Sequence, residues 1–222
     1  MFGYLLYMAP VILLSLIAQL LVSGSYKKYN KIKSRRGITG REAAALILES
    51  NGIRDIKINR IPGNLTDHYD PRDNTISLSD NVYDSDSVAA IGIAAHEAGH
   101  ALQYKTGYSF IKLRMLILPV CSFGSRLGPI LIFIGLILSS FEFFWAGIIL
   151  FGAVAVFQLV TLPVEFNASV RAVKILESSG TLGSDELKGA KSVLTAAALT
   201  YVAALLTSLM QIMYYISRAN RR

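Results

Sequence analysis

The sequence predicts a mainly α, multi-pass membrane protein with about four transmembrane helices and one small α+β segment. Three observations predict it. Hydrophobic residues make up 53% of the 222 residues and charged residues only 17%, against about 25% charged in an ordinary soluble domain. The apolar residues gather into blocks at 4–22, 115–140, 143–162 and 193–216, lengths that suit the roughly 20 residues a helix needs to span a bilayer. Only residues 37–110 mix charge, alternation and turn residues in the manner of a folded, water-facing segment.

The charges sort the chain further. The net charge is +7, but the basic residues cluster beside apolar blocks and read as membrane-flank charges, with no surface suited to nucleic acid. No Lys or Arg precedes the first block, and no small-x-small cleavage site stands out after it, so it reads as a retained span kinked by Pro10. Lys27, Lys28, Lys31, Lys33, Arg35 and Arg36 follow it directly. Such a cluster marks the cytoplasmic side, which places the N-terminus outside and the next segment in the cytoplasm. Four spans put Arg218, Arg221 and Arg222 outside, against the same tendency, and the larger cluster outweighs them. Cys121 is the single cysteine and lies in an apolar block. It permits no intrachain disulfide and reads as packing.

Within 37–110, Thr39 with Glu42 three residues later is a capping box that opens a helix over about 40–50, and Asn51-Gly52 stops it. Residues 54–60 and 75–79 alternate as strands, 65–69 form a further strand, and 62–64 and 70–74 are turns. Ser85 or Ser87 caps a helix that runs to about Thr106 before Gly107. Beyond it, Arg126 inside the second block reads as snorkelling toward headgroups, the alternative being a buried charge near a site. Ser139 to Glu142 is a short connection. A third span ends at Pro163, a helix covers 164–179, and a loop at 180–184 leads to the last helix.

The capped helix contains His96-Glu97-Ala98-Gly99-His100. A helix advances about 100° per residue, so residues four apart share a face and both imidazoles can hold one metal ion. Two His nitrogens plus a carboxylate suit zinc and leave a fourth position for water. Glu97, beside the first ligand, can take that water's proton. The uncharged flanks at 91–95 and 101–102 argue for a buried helix, where polar groups need partners. Five acidic residues follow His100: Glu142, Glu165, Glu177, Asp185 and Glu186. Glu142 falls on the far side of the membrane, and the last three flank a Ser/Gly loop as solvated charges. Glu165 sits in an apolar context at the membrane boundary, on the same side as the helix, and is the expected third ligand. His68 in Asp67-His68-Tyr69-Asp70 reads as a solvated turn histidine, a ligand, or a group facing the oxyanion. Tyr69, Tyr104 and Arg171 are further candidates for contacting substrate or the oxyanion.

The motif, the two spans after it and Glu165 together resemble the membrane zinc peptidases of the HtpX and CAAX prenyl protease type. The layout is more similar to the YugP-type neutral zinc metallopeptidases: one span before the folded segment, Asp67-His68-Tyr69-Asp70-Pro71, and Leu162-Pro163-Val164-Glu165-Phe166-Asn167-Ala168-Ser169. The resemblance implies a zincin-like catalytic segment with one zinc per chain on His96, His100 and Glu165, and Glu97 as general base. It also implies that the strand at 75–79 is a sheet edge that pairs with an extended substrate. The HtpX type carries an Asp four residues after the ligand glutamate. This chain has Ser169 there, with Asn167 and Asp70 as the other candidates to support the ligand imidazoles.

The expected organisation is therefore an N-terminal transmembrane helix at 1–24 and a cytoplasmic zincin-like segment at 25–110. A helix pair covers 111–163, the helix with the third ligand and its loop 164–192, and a last span with a basic tail 193–222. The expected activity is hydrolysis of peptide bonds in peptides or proteins, membrane proteins among them, from the cytoplasmic face of the cell membrane. Two alternatives stand beside it. One is a zinc hydrolase of a non-peptide amide. The other is a non-catalytic membrane protein with a structural zinc, for which His68 is the available fourth ligand. The sequence does not set the oligomeric state.

Overall fold

The computed structural model describes residues 2–219, so Arg221 and Arg222 of the expected basic tail lie outside the described residues. The elements are α1 (Phe2–Tyr29), α2 (Gly40–Ser50), β1 (Lys57–Ile61), β2 (His68–Asp70), β3 (Thr75–Ser79), α3 (Asp80–Tyr83), α4 (Val88–Lys105), α5 (Ser109–Leu138), α6 (Phe141–Ser178) and α7 (Ser184–Ala219). The protein is mainly α, and α1, α5, α6 and α7 are long and apolar enough to cross a membrane. The expected break at Pro163 is absent: α6 is one 38-residue helix with Pro163 inside it. At 1.5 Å per residue such a helix is about 57 Å long, well beyond the roughly 30 Å of a hydrocarbon core.

The chain divides into two units. The first comprises Met1–Ala18, Ser109–Pro163 and Leu199–Arg222. Here α5 meets α6 through glycines. Gly124, Gly128 and Gly135 are buried on α5, and a methyl group at Gly124 would sit 2.2 Å from the Leu150 carbonyl oxygen. Small residues at such a seam let backbones approach, as expected between helices whose outer faces meet lipid. The outward residues are large and apolar, Leu116 at 74% and Ile149 at 72% exposure among them. Arg126 is also exposed on α5, as snorkelling requires.

The second unit comprises Gln19–Tyr108 and Val164–Ala198. Its α2 starts at Thr39 with both halves of the capping box formed. The sheet order is β1-β3-β2, with β1 parallel and β2 antiparallel to β3. Ile58 pairs with Ile76, which also faces Tyr69 on the other side. The expectation that 75–79 is a sheet edge is thus overturned. β3 is the central strand, all five of its residues are buried, and its hydrogen bonds are taken by neighbours on both sides. The free edges belong to β1 and β2. The sequence pattern signals three strands but not their order in the sheet, which is set by pairing between residues distant in the chain.

Helix α4 occupies the centre of this unit. Ala90, Ile91, Ala94, Ala95, Ala98 and Ala101 are fully buried, packed in one core with Ala44 and Ile47 of α2, Ile76 and Leu78 of β3, Ala172 and Leu176 of α6, and Ala190 of α7. Alanine costs little side-chain entropy in a helix and leaves room for neighbours on every side. The closest approach is at Gly99, where a methyl group would sit 2.7 Å from the Ala168 carbonyl oxygen. Gly99 therefore brings α4 against α6 at the turn that carries His100.

Candidate metal centre

Ser87 caps α4, accepting the Ala90 N–H at 3.1 Å, and the four-residue spacing within that helix puts His96 and His100 on one face. Their ring centroids are 4.6 Å apart at an 81° interplanar angle. Glu165 of α6 meets both: its Oε2 lies 3.3 Å from His96 Nε2 and 3.5 Å from His100 Nε2. The donor atoms of these three residues all lie within 4.8 Å of one another, and the group could hold a metal ion. Donors at the usual 2.0–2.1 Å from a tetrahedral zinc stand about 3.3–3.4 Å apart, which the two Glu165 separations match. Burial by itself would disfavour a protonated His100, yet the Glu165 carboxylate beside it reverses the sign and raises its pKa. The pocket favours positive charge. The residues present therefore fit a zinc ion.

The far side of each ring is also held. His96 Nδ1 lies 3.1 Å from Ser169 Oγ, and His100 Nδ1 lies 3.0 Å from Gln103 Oε1. Of the candidates for this support, Ser169 takes the part directly, one helical turn after Glu165. Asn167 touches neither ring. Its Oδ1 accepts from Gln103 Nε2 at 3.0 Å and from Arg171 Nε at 2.8 Å. Asp70 is engaged with Arg72 at 2.6 Å and serves no ligand. Gln103 was not foreseen. The available signal was its spacing: three residues after His100 in an apolar run, it shares the histidine's face.

Glu97 is 7% exposed, and burial pushes its carboxyl above the ordinary glutamate range, against the opposing pull of His96 and His100. A buried carboxyl beside two imidazoles is placed to exchange a proton with a molecule held next to them. The Asp67 carboxylate adds to the upward shift of Glu97. Asp67 itself accepts from Ser79 N–H at 2.8 Å and Ser79 Oγ at 3.1 Å, so it ties the approach to β2 onto the end of β3, a contact with no sequence signal of its own.

The remaining candidates separate. His68 is exposed, with Nδ1 2.9 Å from the Thr66 carbonyl oxygen, and it lies outside the donor group. It is an exposed histidine at the start of β2, paired with Ser77. The Tyr69 hydroxyl donates to Asn74 Oδ1 at 3.0 Å, and burial first among several causes pushes its pKa up to about 12. Its ring meets that of Tyr104 edge-on at 6.3 Å, which sets β2 beside α4. Tyr104 lies one turn beyond His100 and is 43% exposed. The Arg171 guanidinium, besides its bond to Asn167, lies 6.0 Å from the Tyr108 ring centroid.

Two histidines one turn apart on one helix thus meet a carboxylate from a second helix, with a buried glutamate beside the first of them. Residues 4–220 match the model of a family described as "Putative neutral zinc metallopeptidase", and the chain belongs to that family. It is also 46% identical over 203 residues, 91% of this chain and 90% of the relative, to the "Putative membrane protease YugP" of Bacillus subtilis (strain 168). No solved structure matches it.

Proposed function

We propose that the protein is a membrane-embedded zinc metalloendopeptidase with His96, His100 and Glu165 as the ligands of one zinc ion and Glu97 as general base. The observation that carries the reading is the convergence of two imidazole nitrogens and one carboxylate oxygen, with Glu97 buried next to the first ligand. Zinc in such a site acidifies water and polarises a carbonyl. Glu97 accepts a proton from the attacking water and delivers it to the departing amine nitrogen. Ser169 and Gln103 hold the two rings from behind. With His68 outside the group, three protein donors and an open position support catalysis over a closed, structural site.

Several features support a peptide substrate. β2 carries a free strand edge beside α4, a place where an extended chain can add by backbone pairing. Tyr104, exposed and one turn from His100, is the best placed of the candidates to contact it. A groove of about 320 Å³ runs past Ser169, apolar along Phe166, Val170, Val173 and Leu194 and charged at Lys174, Glu177 and Lys191. The four long helices cross the cell membrane in this reading, and Lys27 to Arg36 put the folded segment on the cytoplasmic side.

The direct test is to purify the protein in detergent, measure bound zinc, and follow cleavage of unfolded casein with and without a chelator. One zinc per chain and chelator-sensitive cleavage, restored by zinc, are expected. Zinc-loaded protein that leaves casein intact but hydrolyses simple non-peptide amides would overturn the peptidase reading.

A further inference from the structure

We infer that Gln103 fixes the His100 ring in the tautomer that carries its proton on Nδ1 and directs the Nε2 lone pair toward Glu165. The inference rests on the metal-centre reading above and extends it to a residue outside the ligand set. It starts from two groups whose hydrogen-bonding roles have no freedom. The Val164 carbonyl oxygen can only accept, so the end of the Gln103 amide 2.7 Å away is the NH₂. Arg171 Nε–H can only donate, so the Asn167 atom 2.8 Å away is its Oδ1. That same oxygen receives the second N–H of Gln103 at 3.0 Å.

Both amide hydrogens of Gln103 are then committed, and its Oε1 is what faces His100 Nδ1 at 3.0 Å. An oxygen there requires a donor, so Nδ1 carries the proton. In a neutral imidazole the other nitrogen is then the acceptor, free to bind a metal. Gln103 is fully buried, so water does not compete for any of these bonds. His96 has no such lock. Its Nδ1 meets the Ser169 hydroxyl, which rotates and can donate or accept. Arg171 and Asn167, near the site but not in it, act as the outer anchor of Gln103. Gln103, Asn167 and Arg171 are positioning residues, and their reach ends at the orientation of one ring.

The test has two arms on the whole chain in detergent. In zinc-loaded protein with ¹⁵N-labelled histidine rings, NMR should show a His100 Nδ1–H protected from exchange. Ligation through Nδ1 overturns the inference, and this arm needs no variant. In the second arm, Gln103→Met keeps the length and removes every polar role. Its zinc dissociation constant should rise about 10–100-fold, the usual effect of losing support behind a ligand, with helix content unchanged. His100→Ala is measured alongside. If His100→Ala binds zinc like the unaltered protein, the metal-centre reading falls. If His100→Ala loses zinc while Gln103→Met keeps the original constant, the metal centre stands and the role of Gln103 falls.

Discussion

The α5–α6 pair and the α4–α6 contact solve the same packing problem for opposite surroundings. Both bring two helices to backbone contact through glycine, Gly124 against Leu150 in one and Gly99 against Ala168 in the other. Around α5 most large side chains point outward, and its buried residues are Gly124, Gly128, Gly135 and Cys121 with Ile111 and Ile132. Around α4 nearly everything is inward and small, and the seam admits Glu97, Gln103 and Glu165. The difference teaches where polar groups are tolerated. Glu165 and Gln103 are buried with specific partners, whereas on the α6 segment of the first unit Gln158 Oε1 and Thr161 Oγ1 are buried without a hydrogen-bond partner among the described residues. A buried polar group without a partner is costly, so what distinguishes the site is that its polar groups are paired with one another.

The sharpest way to break the comparison is to disable the polar seam while keeping its shape. Glu97→Gln should retain zinc and fold but lose about 10²–10⁴-fold in kcat, the usual contribution of general-base catalysis. Steady-state kinetics with metal analysis reads this, and full turnover with zinc bound removes Glu97 from the mechanism. Next in size is Glu165→Gln, which keeps the volume and deletes the charge. It should lose zinc on dialysis and activity with it, whereas Glu177→Gln, at an exposed position of the same helix, should keep both.

The glycine seams sharpen the comparison further. Gly99→Ala forces a methyl group against the Ala168 carbonyl, and Gly128→Ala forces one to 2.9 Å from the Phe151 nitrogen. Each should cost about 1–3 kcal/mol, as overpacking does. Only Gly99→Ala should also weaken zinc binding, since it displaces the turn that carries His100. Thermal unfolding and metal titration of the two variants give the answer. Equal zinc affinity in both would show that α4 yields without disturbing the ligands.

The smallest effect lies at the surface of the sheet. The Arg72 side chain holds the Asp70 carboxyl down at about 2. A depressed carboxylate stabilises the fold above its ordinary titration range, and that stability is lost as pH falls from about 4 to about 2. The pair is on the surface and screened, so it is worth well under about 1 kcal/mol. The stability difference between the unaltered protein and Arg72→Ala should close over that interval. A difference that persists at pH 2 would assign the effect to Arg72 packing.

Much of this was legible in the chain because it rests on local chemistry. The capping box at Thr39 and Glu42, the Ser87 cap, the i,i+4 histidines and the apolar blocks are each set by neighbours within a few residues. Glu165 was reachable by elimination among few acids. What escaped depends on pairing at a distance. Nothing in Thr75 to Ser79 says that β1 and β2 flank it, and the edge position implied by the resemblance is not the one β3 takes. Pro163 looked like a boundary, yet it sits inside an unbroken α6. Gln103 and Asp67 carry no motif, and their roles appear only when Val164, Asn167 and Ser79 arrive from elsewhere in the chain.

The separation of the donors along the chain has a consequence in time. Glu165 lies 69 positions after His96. At about 5–20 residues per second of synthesis, roughly 3–14 s pass between the emergence of the histidine helix and that of the carboxylate. During that interval a nascent chain holds two imidazoles and a base but no third donor. The proposed metal centre is incomplete while the chain is being made, and the rate of synthesis sets the earliest moment at which its three donors can meet.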